Sequence, residues 1–175
     1  MILAEPADQE KFIVDRGFGE LIGAQRMPGN SVLVYNFEGE NHTQSVYTIA
    51  KFFVGISRGK ESTLVILENM FVWPSGRDEY LIKHAFASMF PSAEATFKNG
   101  TTIVWPPNEE AAPCTLYHLA LLFGWDVFIF PKGGGASALI SHDGFVELNT
   151  DMEPFEMAEI AKQETGRAFS VAGTQ

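Results

Sequence analysis

The chain has 175 residues, of which 46% are hydrophobic and 19% are charged. This length suits one domain with a core of its own, and the apolar content excludes a disordered chain. Lys and Arg total 12 against 22 Asp and Glu, and the resulting formal net charge of −10 argues against binding to nucleic acids or to anionic membranes.

Helices and strands are predicted in chain order from hydrophobic periodicity and from the positions of Gly and Pro. Helical patterns cover residues 6–25, 43–58, 77–90, 108–123 and 155–164. Strand patterns cover residues 31–37, 62–73, 95–98, 101–104, 126–130, 136–142 and 145–149. The tail from residue 168 to Gln175 is expected to fray.

Two turn sequences predict hairpins with two-residue loops, because Asn-Gly and Asp-Gly suit the positive φ angles of such turns. A loop at Asn99-Gly100 would place Phe97 opposite Thr102. A loop at Asp143-Gly144 would place Leu139 opposite Leu148. A purely parallel sheet would not need hairpins. We therefore expect a single α+β domain whose mixed, mostly antiparallel sheet is packed by about four to five helices.

The starts of the last two helices carry capping signals. Asn108 is a candidate cap for the helix over 108–123. Pro113 must fall in the first turn of this helix, or the helix starts at Pro113. Thr150 and Glu153 have the spacing of a capping box before the last helix.

The tripeptide Val-Trp-Pro occurs at residues 72–74 and 104–106, each time at the end of an apolar run. A proline there removes a backbone donor and stops the strand. If the two strands lie side by side and run the same way, Trp73 and Trp105 mark one edge of the sheet. That edge, with Arg77, is then the best place to look for a pocket.

Cys114 and His118 stand one helical turn apart, so they share a helix face, where a histidine can activate a thiol. They and His84 are the candidate catalytic residues, although the helix is apolar on most sides and a small thiol on such a helix usually serves packing. The four histidines show no metal-binding spacing, and one cysteine cannot build a zinc site. We expect no metal and no cofactor.

The C-terminal third is rich in carboxylates. Its candidate partner-binding residues are Glu147, Asp151, Glu153, Glu156 and Glu159. A continuous acidic face on the last helix is more often simply solvated, and the functional interpretation is docking to a basic protein.

Three hypotheses on function follow. The leading one is a non-catalytic protein-binding module, of inhibitor or immunity type, that uses its acidic surface. The alternative is a small enzyme or ligand-binding domain with a site near Trp73, Trp105, Cys114 and His118. The third is a homodimer formed through the helix over 108–123. The lone cysteine, the lack of a basic leader and the lack of a membrane-length apolar stretch favour a soluble, cytoplasmic protein.

Overall fold

The computed structural model describes residues 2–4, 11, 14, 31–36, 43–57, 61–69, 101–133 and 136–172. The strands within them are β1 (Ile2–Ala4), β2 (Ser31–Asn36), β3 (Thr63–Glu68), β4 (Thr101–Trp105), β5 (Asp126–Pro131), β6 (Ala136–Ile140), β7 (Phe145–Thr150) and β8 (Ser170–Val171). The helices are α1 (Thr43–Ser57), α2 (Ala111–Phe123) and α3 (Pro154–Thr165). The predicted helices over 6–25 and 77–90 lie outside the described residues, except for Lys11 and Val14, which are helical.

The strands form one sheet in the order β1-β4-β3-β5-β6-β7-β2-β8. Every pairing among the described strands is antiparallel. The α+β class and the mostly antiparallel sheet are thereby confirmed, and β5, β6 and β7 form an antiparallel meander. Of the described strands, β5, β6 and β7 follow one another through short connections, which antiparallel neighbours allow.

The main core lies between this sheet and the three described helices. In α1, Val46, Ile49, Ala50 and Phe53 recur at helical spacing, and all four are buried. α1 runs between α2 and α3 and contacts both. The helix predicted over 43–58 is therefore confirmed, and its apolar stripe packs against the sheet.

The strand predicted over 62–73 occupies a central position, between β4 and β5, and residues 70–73 of the prediction lie outside the described residues. β3 ends at Glu68, and Asn69 follows with a φ of 47°, in the left-handed region, which interrupts the extended backbone. The opposite face of the sheet is buried here as well, since Leu64 and Ile66 of β3 pack in a second cluster with Phe130. A strand buried on both faces reads as a continuous apolar run.

The hairpin predicted at Asn99-Gly100 conflicts with the pairing of β4. Thr102 lies opposite Ala4 of β1 on one side and opposite Ile66 of β3 on the other. A strand has two edges, and both edges of β4 are occupied at this residue, so the predicted pairing with Phe97 has no place there. Phe97 itself lies outside the described residues.

The hairpin at Asp143-Gly144 exists, but its register differs by one residue from the predicted one. Ser141 N donates to Phe145 O over 2.9 Å, which leaves a three-residue loop that ends at Gly144, with a φ of 81°. Leu139 therefore lies opposite Glu147, not Leu148. Leu148 faces the helices, and Leu139 faces the other side of the sheet.

Both predicted helix caps differ from the structure. Asn108 adopts a positive φ of 63° before the helix, and α2 is preceded instead by Glu110, which makes no side-chain capping bond. Pro113 lies in the first turn of α2, as predicted. At α3 the cap is Glu153, whose carboxylate accepts from the N–H groups of Phe155 and Glu156 at 2.9 and 3.1 Å.

The tail that was expected to fray is held in place as far as Val171. Phe169 is 8% exposed, and its ring lies 5.2 Å from that of Tyr35 and 6.0 Å from that of Phe52. Ser170 and Val171 then form β8 against β2. The prediction was wrong because a short polar tail shows no periodicity from which an aromatic anchor could be read.

Candidate functional site

Cys114 and His118 of α2 both contact Tyr47 of α1. The rings of His118 and Tyr47 meet edge to face with centroids 5.5 Å apart. The Tyr47 and Cys114 side chains line the same groove, and the Tyr47 hydroxyl acts to lower the pKa of the Cys114 thiol. Nε2 of His118 is buried and has no hydrogen-bond partner among the described residues. The two candidate catalytic side chains therefore share an aromatic neighbour, and that nitrogen of the histidine does not take the thiol proton.

The electrostatics of this pair oppose nucleophilic catalysis. Burial raises the pKa of Cys114, and the opposing effects of the Lys51 charge and the Tyr47 hydroxyl are smaller. Burial lowers the pKa of His118. At neutral pH the thiol is therefore protonated and the imidazole is neutral, whereas a cysteine nucleophile needs a thiolate.

Two grooves flank the exposed side of α1. The groove between α1 and α2 has a volume of about 460 Å³ and includes Tyr47, Val54, Glu110 and Cys114 in its lining. The groove between α1 and α3 has a volume of about 430 Å³ and includes Phe52, Ile56, Ile160 and Glu164. Lys51 and Gly55 line both grooves, so the two meet across the surface of α1.

Trp105 belongs to the core. It is 2% exposed, and the space beside it and Tyr117 measures about 10 Å³, which is the size of one water molecule. β3 and β4 lie side by side but run in opposite directions, and Trp105 lies opposite Thr63, the first residue of β3. The condition under which Trp73 and Trp105 would mark one edge of the sheet is therefore not met. Trp73, Arg77 and His84 lie outside the described residues.

A polar cluster that the sequence did not suggest joins three turns at one end of the sheet. Asp126 Oδ1 accepts from His142 N at 2.7 Å and lies 2.8 Å from His142 Nδ1. Its other oxygen accepts from Asn69 Nδ2 at 2.5 Å. The His142 Nε2 atom lies 3.4 Å from Asp143 Oδ1. The chain separations of 57 and 16 residues explain why no local motif indicates the cluster.

Asp126 and His142 each stabilise the charged form of the other. Burial acts to raise the pKa of Asp126, but the hydrogen bonds from His142 and Asn69 together hold it below its usual value. The hydrogen bond to Asp126 raises the pKa of His142, and the two nearby carboxylates add to this effect against a smaller cost of burial. A histidine held through Nδ1 by a carboxylate has a fixed ring orientation. Within the described residues, no three His, Cys, Asp or Glu side chains are placed to hold a metal ion.

The predicted partner-binding residues divide between two sides of the molecule. Glu147 alternates with the core residues Val146 and Leu148, so it points to the sheet face away from the helices. The other four are exposed at the start and on the outer side of α3, and we call them the α3 acidic surface: Asp151, Glu153, Glu156 and Glu159.

An exposed aromatic side chain lies within the α3 acidic surface. Phe155 is 58% exposed and stands between Glu153 and Glu156 in the chain, one turn before Glu159. Lys162 approaches Glu159 at 3.5 Å and offsets part of the charge at the far end of the helix. The partial positive charge of the helix N-terminus stabilises the carboxylates of the first turn.

None of the described helices is both long and apolar enough to cross a membrane. Comparisons of the chain with protein-family models, with curated proteins and with solved structures found no match.

Proposed function

We propose that this protein is a non-catalytic binding module that engages a basic protein through the α3 acidic surface, as an inhibitor or immunity-type protein would. The observation that carries the proposal is the exposed Phe155 within a set of exposed carboxylates. An aromatic side chain surrounded by charged groups is the usual composition of an interface anchor with a polar rim.

The charge distribution supports a basic partner. The chain has a net charge of −10, and four carboxylates of the α3 acidic surface lie within three turns of chain. Such a surface accelerates the encounter with a positively charged protein, and the acceleration falls as salt screens the charges. Phe155 would then slow dissociation by entering an apolar pocket of the partner.

The alternative of a small enzyme with a site at Cys114 and His118 gains little from the geometry. The Cys114 thiol has a raised pKa, His118 Nε2 has no hydrogen-bond partner among the described residues, and the space at Trp105 has room for one water molecule.

The proposal predicts that two kinds of substitution act on different rate constants. We expect Glu156→Lys/Glu159→Lys to slow association with the partner by about tenfold at low salt, because it reverses the steering charge. We expect Phe155→Ala to accelerate dissociation by about tenfold or more, because it removes the anchor. The partner is first captured from an extract of the native host with the wild-type chain, and both rates are then measured by surface plasmon resonance over a range of salt concentrations.

The matched control is Glu109→Lys/Glu147→Lys, which changes the net charge equally but lies away from α3. We expect it to leave the association rate within a factor of about two. Equal slowing by both pairs would reduce the effect to overall charge and contradict the proposal, as would a captured partner whose binding ignores Phe155→Ala.

A further inference from the structure

One row of residues on α1 faces away from the core. Tyr47, Lys51 and Gly55 stand at intervals of one turn, and all three are exposed, Tyr47 by 41% of its surface. We call this row the α1 ridge. The two grooves run along its sides and meet at Gly55, where the ridge is lowest because the residue has no side chain.

Nothing within the described chain requires a glycine at residue 55. A Cβ atom there would meet no atom within 4 Å, and Gly55 is not among the described glycines with a positive φ. Glycine inside a helix costs about 1 kcal/mol relative to alanine. Close approach of another molecule is a reason to keep this position bare.

We propose that two copies of this chain form a two-fold symmetric dimer by packing their α1 ridges antiparallel. With the axis at Lys51, Tyr47 of each copy lies over Gly55 of the partner subunit, so the bulky end of one ridge fills the low end of the other. A two-fold interface requires such self-complementarity, in which residue i meets j and j meets i. Tyr47 is braced by the ring of His118, so little side-chain freedom is lost on binding.

The charges beside the ridge also fit a second copy. Lys51 lies between Glu110 of one groove and Glu164 of the other, so the surface carries both signs. The two Lys51 side chains diverge from the axis toward carboxylates of the opposite subunit, which relieves their mutual repulsion. A second copy presents Glu110 and Glu164 to each Lys51, whereas the surface of a basic partner would present mainly like charge to it, and this is why we assign the ridge to a second copy. Apolar groove walls such as Val54 and Ile160 supply the contact area under this polar rim.

The dimer does not depend on the binding function proposed above, because the α3 acidic surface and the α1 ridge share no residue. A failure to bind a basic protein would leave the dimer untouched, and a monomeric chain would leave the acidic surface available.

Complementary variants test the interface by sedimentation velocity. We expect the wild type to be dimeric at tens of micromolar. Tyr47→Gly leaves two vacant positions in its dimer and Gly55→Tyr brings bulky side chains together, so each alone should lower the association constant by about tenfold or more. Mixing the two variants pairs each Tyr with a Gly at both contacts, and the mixture should recover wild-type association as a heterodimer.

Control variants and a folding check accompany this test. Leu122→Ala alters an exposed apolar residue of α2 outside both grooves and should leave association unchanged. Gly55→Ala should raise thermal stability, and circular dichroism checks the folding of every variant. If Gly55→Tyr does not fold, Lys51→Glu replaces it, and it should weaken association by about tenfold. A monomeric wild type, a mixture that fails to associate, or a Lys51→Glu variant that associates like the wild type would overturn the proposal.

Discussion

At the scale of single residues, Asp126 links parts of the chain that are distant in sequence. It is 8% exposed, and its two oxygens accept hydrogen bonds from Asn69 beyond β3 and from His142 before β7. A buried carboxylate is tolerated only when such bonds replace its hydration. The cluster therefore fixes the turn over 142–144 relative to the end of β3. The three-residue loop of the β6–β7 hairpin, which differs by one residue from the predicted loop, includes His142 of this cluster.

The pair of Asp126 and His142 predicts a pH-dependent coupling. The pKa of His142 is raised above 6.5, so its contribution is full below that pH and is lost as pH rises through the raised value. The pKa of Asp126 is lowered below 3.8, so its contribution is full above that pH and is lost as pH falls through the lowered value. The stabilisation is therefore greatest between those two usual values.

A double-mutant cycle measures this coupling. We expect Asp126→Asn and His142→Gln to show a coupling free energy of about 1 kcal/mol at about pH 5.5 and less at about pH 8.5, by urea unfolding. His118 titrates with the opposite sign, but it is present in all four proteins and cancels from the cycle. A coupling that grows with pH would contradict the assigned charges.

At the scale of elements, each described helix is specified by its own segment, but its start is set by contacts that a motif alone does not reveal. The Thr150 hydroxyl accepts from Met152 N at 3.1 Å, so the turn before α3 uses it, and Glu153 becomes the cap. Proline follows at the first helical position, where its missing N–H costs nothing. The capping-box motif indicated the correct region and assigned the wrong residue.

The capping role of Glu153 is testable without any partner. Glu153→Ala removes the acceptor for two backbone N–H groups and should lower the free energy of unfolding by about 1 kcal/mol. Asp151→Ala, which removes a neighbouring exposed carboxylate outside the cap, should change it by less than about 0.5 kcal/mol. Equal effects of the two substitutions in thermal unfolding would show that charge, not capping, explains the loss.

At the scale of the whole molecule, the two ends of the described sheet are strands far from each other in the chain. β1 lies at one edge beside β4, and β8 lies at the other beside β2. β8 has only two residues, yet Phe169 before it packs between Tyr35 and Phe52, while the guanidinium of Arg167 donates to Ser45. The C-terminal segment therefore ties the sheet edge to α1, as a frayed tail would not.

Removing this anchor should destabilise the molecule as a whole. We expect Phe169→Ala to lower the free energy of unfolding by about 3 kcal/mol, because it deletes a buried ring and leaves a cavity. Ser170→Ala removes one exposed hydrogen bond to Val34 O and should cost less than about 1 kcal/mol. Denaturant unfolding that gives the same midpoint for Phe169→Ala and the wild type would contradict the anchoring role.

The sequence by itself determined the α+β class, the bounds of α1, α2 and α3 within a few residues, and the apolar character of β3. These features follow from periodicity and local chemistry, which each segment carries alone. Strand pairings between segments that are far apart in the chain cannot be predicted in this way. β4 takes β1 and β3 as neighbours, although a local turn signal favours residues 95–98.

Only the tertiary structure decided which side chains meet. It separated Glu147 from the α3 acidic surface, placed Tyr47 against His118, and brought Asp126 to His142. Several strands could pair with the same sheet edge, and several helices could cover the same apolar face. Which arrangement is most stable depends on the apolar surface buried over the whole chain. The sequence pattern shows which residues of each segment need to be buried, but it does not show which distant segment will cover them.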